Sequence, residues 1–119
     1  MTAYLEVEDL LALATDLGIA DIGDPGLLAA AAYRPRVSLF GRDAYQGIDA
    51  KAAALLDSLA RIPGLTDRER LAWLAVVVFY GLNQVHPDPP PGAPERLLGE
   101  TASGARDLAG IAGTLASWH

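Results

Sequence analysis

The sequence predicts an all-α domain in which a short β-hairpin separates the second helix from the third. In several segments apolar residues recur every three or four positions, which is the period of an amphipathic helix. Prolines and glycines interrupt the chain between these segments, as they do at helix ends. One stretch, residues 36–45, alternates instead. Because 119 residues suffice for one buried core and not for two, we expect a single domain over residues 1–119.

Clear start and stop signals bound the first two helices. The apolar residues of segment 7–17 share one face, and Gly18 follows at the position of a C-terminal cap. Asp24 is a typical N-cap, and Pro25 suits the first helical turn after it. Pro35 ends the second helix, since a residue before proline avoids the helical conformation.

The alternating stretch has the composition of a hairpin or flap. Val37 and Leu39 are two positions apart, which is the period of a strand. The run Gly-Arg-Asp at 41–43 supplies residues that are typical of a turn. A short hairpin fits these residues better than a helix does.

Two long helices are predicted next. Apolar residues in segment 48–62 step by four and three, and the Pro-Gly pair at 63–64 ends that helix. Thr66 and Glu69 have the spacing of a capping box that starts the fourth helix. Segment 71–82 is apolar on every side, so we expect it at the centre of the bundle. A proline-rich connector over residues 86–94, a short segment over residues 95–101 and a last amphipathic helix follow.

Composition excludes several classes of protein. The formal charge of −6 and the scattered basic residues argue against a nucleic-acid partner. The longest uncharged apolar run, residues 71–80, is about half the roughly 20 residues that a membrane span needs. An acidic N-terminus does not suit a signal peptide, and there is no cysteine to form disulfides. We therefore expect a cytoplasmic protein without a membrane partner.

The order of these segments resembles the death-on-curing (Doc) branch of the Fic superfamily along nearly the whole chain. The stretches that carry the resemblance are YLEVEDLLALA, DPGLLAAAAYRPR, LFGRDAYQGIDAKAAALLDSLAR, RLAWLAVVVFYGLN and TASGARDLAGIA. The resemblance implies a Fic/Doc-like helical bundle around one buried central helix, with the hairpin as a short flap.

The family's motif loop, H-x-F-x-(D/E)-G-N-x-R, is altered here. In the family its histidine is a general base, its acid holds magnesium, and its Gly-Asn amides bind phosphates. This chain reads ARIPGLTDRERLAW. If Arg70 matches the closing arginine, the loop is one residue short. Ile62 or Pro63 then replaces the histidine, and the acid is Asp67 or is replaced by Thr66.

These changes lead to three functional expectations. The first is a protein that has lost the family's nucleotide-dependent transfer and acts through its groove as a binding or regulatory protein. The alternative is an enzyme that cyclises, hydrolyses or rearranges a small molecule in a biosynthetic pathway without nucleotide. The second alternative is a Doc-type toxin that transfers a phosphoryl or nucleotidyl group.

Ten side chains are candidates for the site. Asp67 and Glu69 are candidate acid–base groups, although the start of a helix is the simpler explanation of both. Tyr45 is the third candidate catalytic residue. Tyr45 and Phe40 either face the target or anchor the hairpin in a small core. The candidate ligand-binding residues are Arg34, Arg42, Asp43, Lys51, Thr66, Arg68 and Arg70.

Some of these candidates have simpler explanations. Lys51 matches a family position but also suits a solvated helix face, and Arg34 suits a helix end. His86 and His119 are separated in the sequence and are read as surface residues, so we predict neither a metal site nor a cofactor. The expected partner is an antitoxin-like peptide or a small molecule bound in the groove.

Overall fold

Six α-helices and one β-hairpin form the fold, and the computed structural model describes residues 1–119. The predicted fold class, an all-α bundle with a short hairpin, is confirmed. The strands pair antiparallel, with Ser38 opposite Asp43 and Leu39 opposite Arg42. The elements are α1 (Val7–Asp16), α2 (Pro25–Tyr33), β1 (Ser38–Leu39), β2 (Arg42–Asp43), α3 (Ile48–Ala60), α4 (Arg68–Leu82), α5 (Ala93–Ala102) and α6 (Leu108–Ala116).

The ends of the first two helices follow the sequence signals. Gly18 has φ +70° just after α1, in the left-handed conformation that glycine adopts readily at a helix end. The side chain of Asp24 accepts a hydrogen bond of 2.8 Å from the amide of Gly26, and Pro25 is the first residue of α2. A 3-10 turn, Arg34–Arg36, then leads into the hairpin.

The helix at the centre of the bundle is α3. It packs against α2, α4, α5, α6 and the 3-10 turn, and Lys51 to Leu56 are all buried. The all-apolar pattern predicted this place for α4, but Trp73 and Val77 of α4 are only half-buried. Alanines explain the difference: the Ala52–Ala54 run lets neighbouring helices approach α3 closely from several sides.

Candidate functional site

The connecting loop (residues 61–67) joins α3 to α4, where the resemblance predicts the motif loop, and it is held by the connection between α1 and α2. The amide of Thr66 donates to the carbonyl of Asp21 at 2.8 Å, and Ile22 pairs with Leu65 in an antiparallel bridge. Gly23 fits here because a Cβ at this position would lie 2.6 Å from the carbonyl oxygen of Pro63. The loop conformation therefore depends on contacts that are distant in sequence.

The predicted capping box at the start of α4 is wrong. The N-cap is Asp67, which has a left-handed conformation with φ +51°, and its side chain makes no capping hydrogen bond. A capping box needs an extended N-cap residue with its hydroxyl aimed at the helix amides. The backbone bond from Thr66 to Asp21 holds the chain in a different path. Glu69 is consequently free of a capping role.

At the α4 start (Thr66–Arg70), Asp67, Glu69 and Arg70 are exposed and Arg68 is half-buried. Arg70 donates to a carboxylate oxygen of Asp67 at 3.4 Å, and both side chains are at least half exposed. Arg68 reaches back to the carbonyl of Ile62, also at 3.4 Å. Glu69 is exposed and forms no ion pair. These groups are available to a ligand because little else in the chain engages them.

The flap base is a second group of charged and polar side chains, and it is tightly bonded. Its members are Arg34, Asp43, Tyr45, Lys51 and Asp57. Arg34 Nε donates to the hydroxyl of Tyr45 at 2.8 Å, while its Nη1 donates to Asp57 at 3.0 Å. Burial opposes the charge on Arg34, but the hydrogen bonds to Tyr45 and Asp57 outweigh it and raise the pKa of Arg34. The guanidinium therefore stays charged and ties the flap to α3.

Lys51 is buried, which corrects the interpretation of this residue as part of a solvated helix face. Its side chain is 3% exposed, and its ammonium donates to a carboxylate oxygen of Asp43 at 3.0 Å and to the carbonyl of Tyr45. Asp43 itself is more than half exposed. A buried ammonium is stable only with such partners, and the flap supplies them where it packs over this position of α3.

The tip of the flap is exposed. Phe40 and Gly41 have φ +52° and +75°, as in the two-residue turns that favour hairpins. The predicted turn at 41–43 is therefore displaced by one residue. Phe40 is fully exposed, so it does not anchor a small core, whereas Tyr45 is half-buried against Arg34. Arg42 is exposed, forms no ion pair and lies beside Asp43 on β2.

An open cavity of about 560 Å³ lies between α2, α3 and the first residues of the connecting loop; we call it the α2–α3 pocket. One wall comes from α2, and the connecting loop closes the opposite side. Three polar side chains, from Arg34, Ser58 and Arg61, line one edge. The apolar lining consists of Leu27, Ala30, Ala31, Tyr33, Val37, Ile62 and Pro63.

Three residues of this region were absent from the sequence-based candidates. Asp57 and Arg61 lie four residues apart on one face of a helix, a spacing typical of a surface ion pair, and their charged atoms are 3.7 Å apart. Ser58 accepts a hydrogen bond of 2.9 Å from Arg34. Ser58 carried no signal in the sequence. Its importance depends on an arginine 24 residues earlier, which only the folded chain brings near.

A separate cluster lies at the other end of α4. The buried hydroxyl of Tyr80 donates to Asp49 at 2.6 Å, and Nε2 of His119 lies 2.7 Å from the same carboxylate oxygen. The pKa of Tyr80 is raised, mainly because the hydroxyl is buried and also because it donates to Asp49. Tyr80 is 12 residues beyond Arg68, about 18 Å along the helix, so this cluster is not part of the site. His86 is exposed, as expected.

The family resemblance implies a magnesium ion near the acidic residue of the loop. Magnesium is usually held by one or two carboxylates together with substrate phosphates. The carboxylates that this chain offers there are Asp67 and Glu69, both exposed. No three histidine or acidic side chains in the chain come close enough to hold a metal ion. The side chains present do not form a metal site by themselves.

None of the six helices has the length and apolar character of a membrane span.

Comparison with known proteins gives a full-length relative. The chain is 41% identical over 123 aligned residues to Toxin Doc of Mycolicibacterium smegmatis, and the match covers 99% of this chain and 95% of that toxin. No protein-family model matches the sequence. The expectation of a binding or regulatory protein without catalysis is corrected by this relative, because its name favours the last of the three functions, a Doc toxin. The chain belongs to the Doc/Fic family.

Proposed function

We propose that this protein is a Doc-type toxin, which arrests bacterial growth when it is produced without an antitoxin partner. The observation that carries the proposal is the match to Toxin Doc, which leaves almost no part of either chain uncovered. A cytoplasmic location and an antitoxin-like peptide as partner are parts of the same proposal. The peptide would bind in a groove across the helices.

We assign the chemistry of the toxin to the α4 start. A general base must reach the proton that it removes, and the histidine that serves the family is missing from this loop. Asp67 and Glu69 are the titratable side chains at this place, and no tight internal ion pair occupies them. Arg68 and Arg70 lie beside them and supply positive charge for an anionic ligand.

The flap base holds the flap against α3 and borders the α2–α3 pocket through Arg34. Tyr45 was a candidate catalytic residue, but its hydroxyl already accepts a hydrogen bond from Arg34. We therefore assign Tyr45, together with Lys51 and Asp43, to holding the flap in position. In this proposal the charged groups of the α4 start contact the ligand, and the more buried groups of the flap base hold the flap in position.

The test is growth after induction of the chain from a tightly repressed promoter in a bacterial host that has no Doc toxin and no antitoxin of its own. We expect arrest with the natural sequence and loss of arrest with the double variant Asp67→Asn/Glu69→Gln. The matched control, Glu8→Gln/Asp16→Asn, removes two exposed carboxylates from α1 and should still arrest growth. Unimpeded growth with the natural sequence at verified protein levels contradicts the toxin role.

A second measurement concerns the nucleotide that the family uses. Thermal unfolding is followed with and without ATP and magnesium, for the natural sequence and for both double variants. We expect a rise in the unfolding temperature of the natural sequence and of the α1 control, since a ligand that binds the folded state stabilises it. The Asp67/Glu69 variant should show a smaller rise, because it has no carboxylate at this place to share a magnesium ion with the phosphates. Equal shifts in all three proteins would contradict the assignment of chemistry to the α4 start.

A further inference from the structure

We propose that the α2–α3 pocket binds a small organic molecule that carries one negative charge on an apolar body. This inference goes beyond the toxin role, because it rests on the chemistry of the pocket and not on growth arrest. Three features support it: the size of the cavity, its exposed apolar wall and one uncompensated positive charge at its edge.

The cavity has the size and surface of a ligand site. Its volume of about 560 Å³ lies within the range of roughly 300–1,000 Å³ for small-molecule pockets. Leu27 and Tyr33 expose 44% and 59% of their surface on the α2 side. Ile62 and Pro63 of the connecting loop face them across the cavity. Large apolar side chains that line a cavity and remain exposed are typical of a binding surface.

The charges at the polar edge do not balance. Arg34 and Arg61 both pair with Asp57, at 3.0 and 3.7 Å, so two guanidinium groups share one carboxylate. No acidic residue lines the pocket itself. The remaining single positive charge favours a monoanion and repels a cation.

Arg61 is the group that can turn to a ligand. Arg34 is fixed by bonds to three side chains, whereas Arg61 has one long contact and a side chain that is 52% exposed. Ser58 adds a donor, because its oxygen accepts from Arg34 while its own proton remains available. An anion at this edge would thus meet Arg61 and the hydroxyl of Ser58 together.

The experiment compares two fluorescent probes with the same apolar skeleton. One is 8-anilinonaphthalene-1-sulfonate, and the other is N-phenyl-1-naphthylamine, which lacks the sulfonate. We expect the natural chain to bind the sulfonate about tenfold more tightly, since charge-assisted hydrogen bonds are worth that much or more. Arg61→Gln should abolish this preference without changing the affinity for the neutral probe.

Controls separate the pocket from general adhesion of the dye. Arg96→Gln removes an exposed charge from α5, outside the pocket, and should leave the preference intact. Arg61→Lys should keep part of it, and Leu27→Asn should weaken both probes. Phenylbutyrate should displace the sulfonate probe, whereas inorganic sulfate should not. Equal affinities for the two probes in the natural chain, or a preference that survives Arg61→Gln, would overturn the proposal whatever the growth assay shows.

Discussion

The flap base and the α4 start have the same charge composition and opposite structural roles. Each contains two basic and two acidic side chains: Arg34, Lys51, Asp43 and Asp57 in the first, and Arg68, Arg70, Asp67 and Glu69 in the second. In the flap base both ion pairs measure 3.0 Å and involve a buried or half-buried member. The pair at the α4 start measures 3.4 Å between two exposed groups.

The comparison shows that burial, and not residue type, decides whether a charged group stabilises the fold or remains available to a ligand. Half-buried pairs with several hydrogen bonds stabilise one arrangement, because breaking them leaves groups without partners. Exposed pairs contribute little to stability, since water and salt screen them. The flap base is consequently suited to hold the shape of the site, and the α4 start is suited to meet a ligand.

The largest effect should come from Arg34→Met. It removes the donor to Tyr45, Asp57 and Ser58 in one step, and we expect the free energy of unfolding to fall by about 2–3 kcal/mol. Urea unfolding measures this. Arg42→Gln, on the exposed flap strand, is the matched control and should change stability by less than about 0.5 kcal/mol. Equal losses in the two variants would remove the distinction between the regions.

Lys51→Met tests the tether between the flap and α3. Methionine nearly fills the same volume but cannot donate to Asp43 or to the carbonyl of Tyr45, so we expect a loss of about 1–2 kcal/mol. Hydrogen exchange should accelerate at the amide of Ala44, which donates to Val37 at 2.8 Å across the hairpin. Unchanged exchange at Ala44 would show that the flap does not need the lysine.

Tyr80, which lies outside both regions, adds a dependence on pH to the comparison. The pKa of Tyr80 is raised in the folded state above its value of about 10 in the unfolded chain. The protonated hydroxyl therefore contributes fully to the free energy of unfolding below pH 10, and this contribution is lost as the pH rises further. Above pH 10 the natural chain should therefore lose stability faster than Tyr80→Phe, by up to about 1.4 kcal/mol per pH unit. Urea unfolding at pH 8 and pH 11 checks this. Parallel losses in both proteins would contradict the assignment to Tyr80.

The smallest effect on stability should come from Asp67→Asn/Glu69→Gln. The exposed pair with Arg70 and the helix dipole together contribute little, so we expect a change of about 0.5 kcal/mol or less. The same variant should lose growth arrest, which separates function from stability at this position. Thermal and urea unfolding provide the measurement. A loss above about 1.5 kcal/mol would make the α4 start a structural element like the flap base.

The sequence predicted five of the six helices, missed α5, and predicted the site only in part. Local signals such as Asp24 before Pro25 act over a few residues, and α2 begins where they predict. The capping box at Thr66 failed because a hydrogen bond to Asp21, 45 residues away, redirects the loop. Burial of Lys51 could not be read from its own helix, since its partners come from the flap that folds over it.

The sequence by itself determined the all-α class, the order of five of the six helices, the flap and the membership of the Doc/Fic family. It also determined that the connecting loop contains no histidine. Only the tertiary structure decided which charges are neutralised internally and which face the α2–α3 pocket. The reason is physical: helix periodicity is set by near neighbours, whereas the state of a charge depends on every group that packs against it. Arg34, which bonds to residues 11, 23 and 24 positions away, owes its role entirely to that packing.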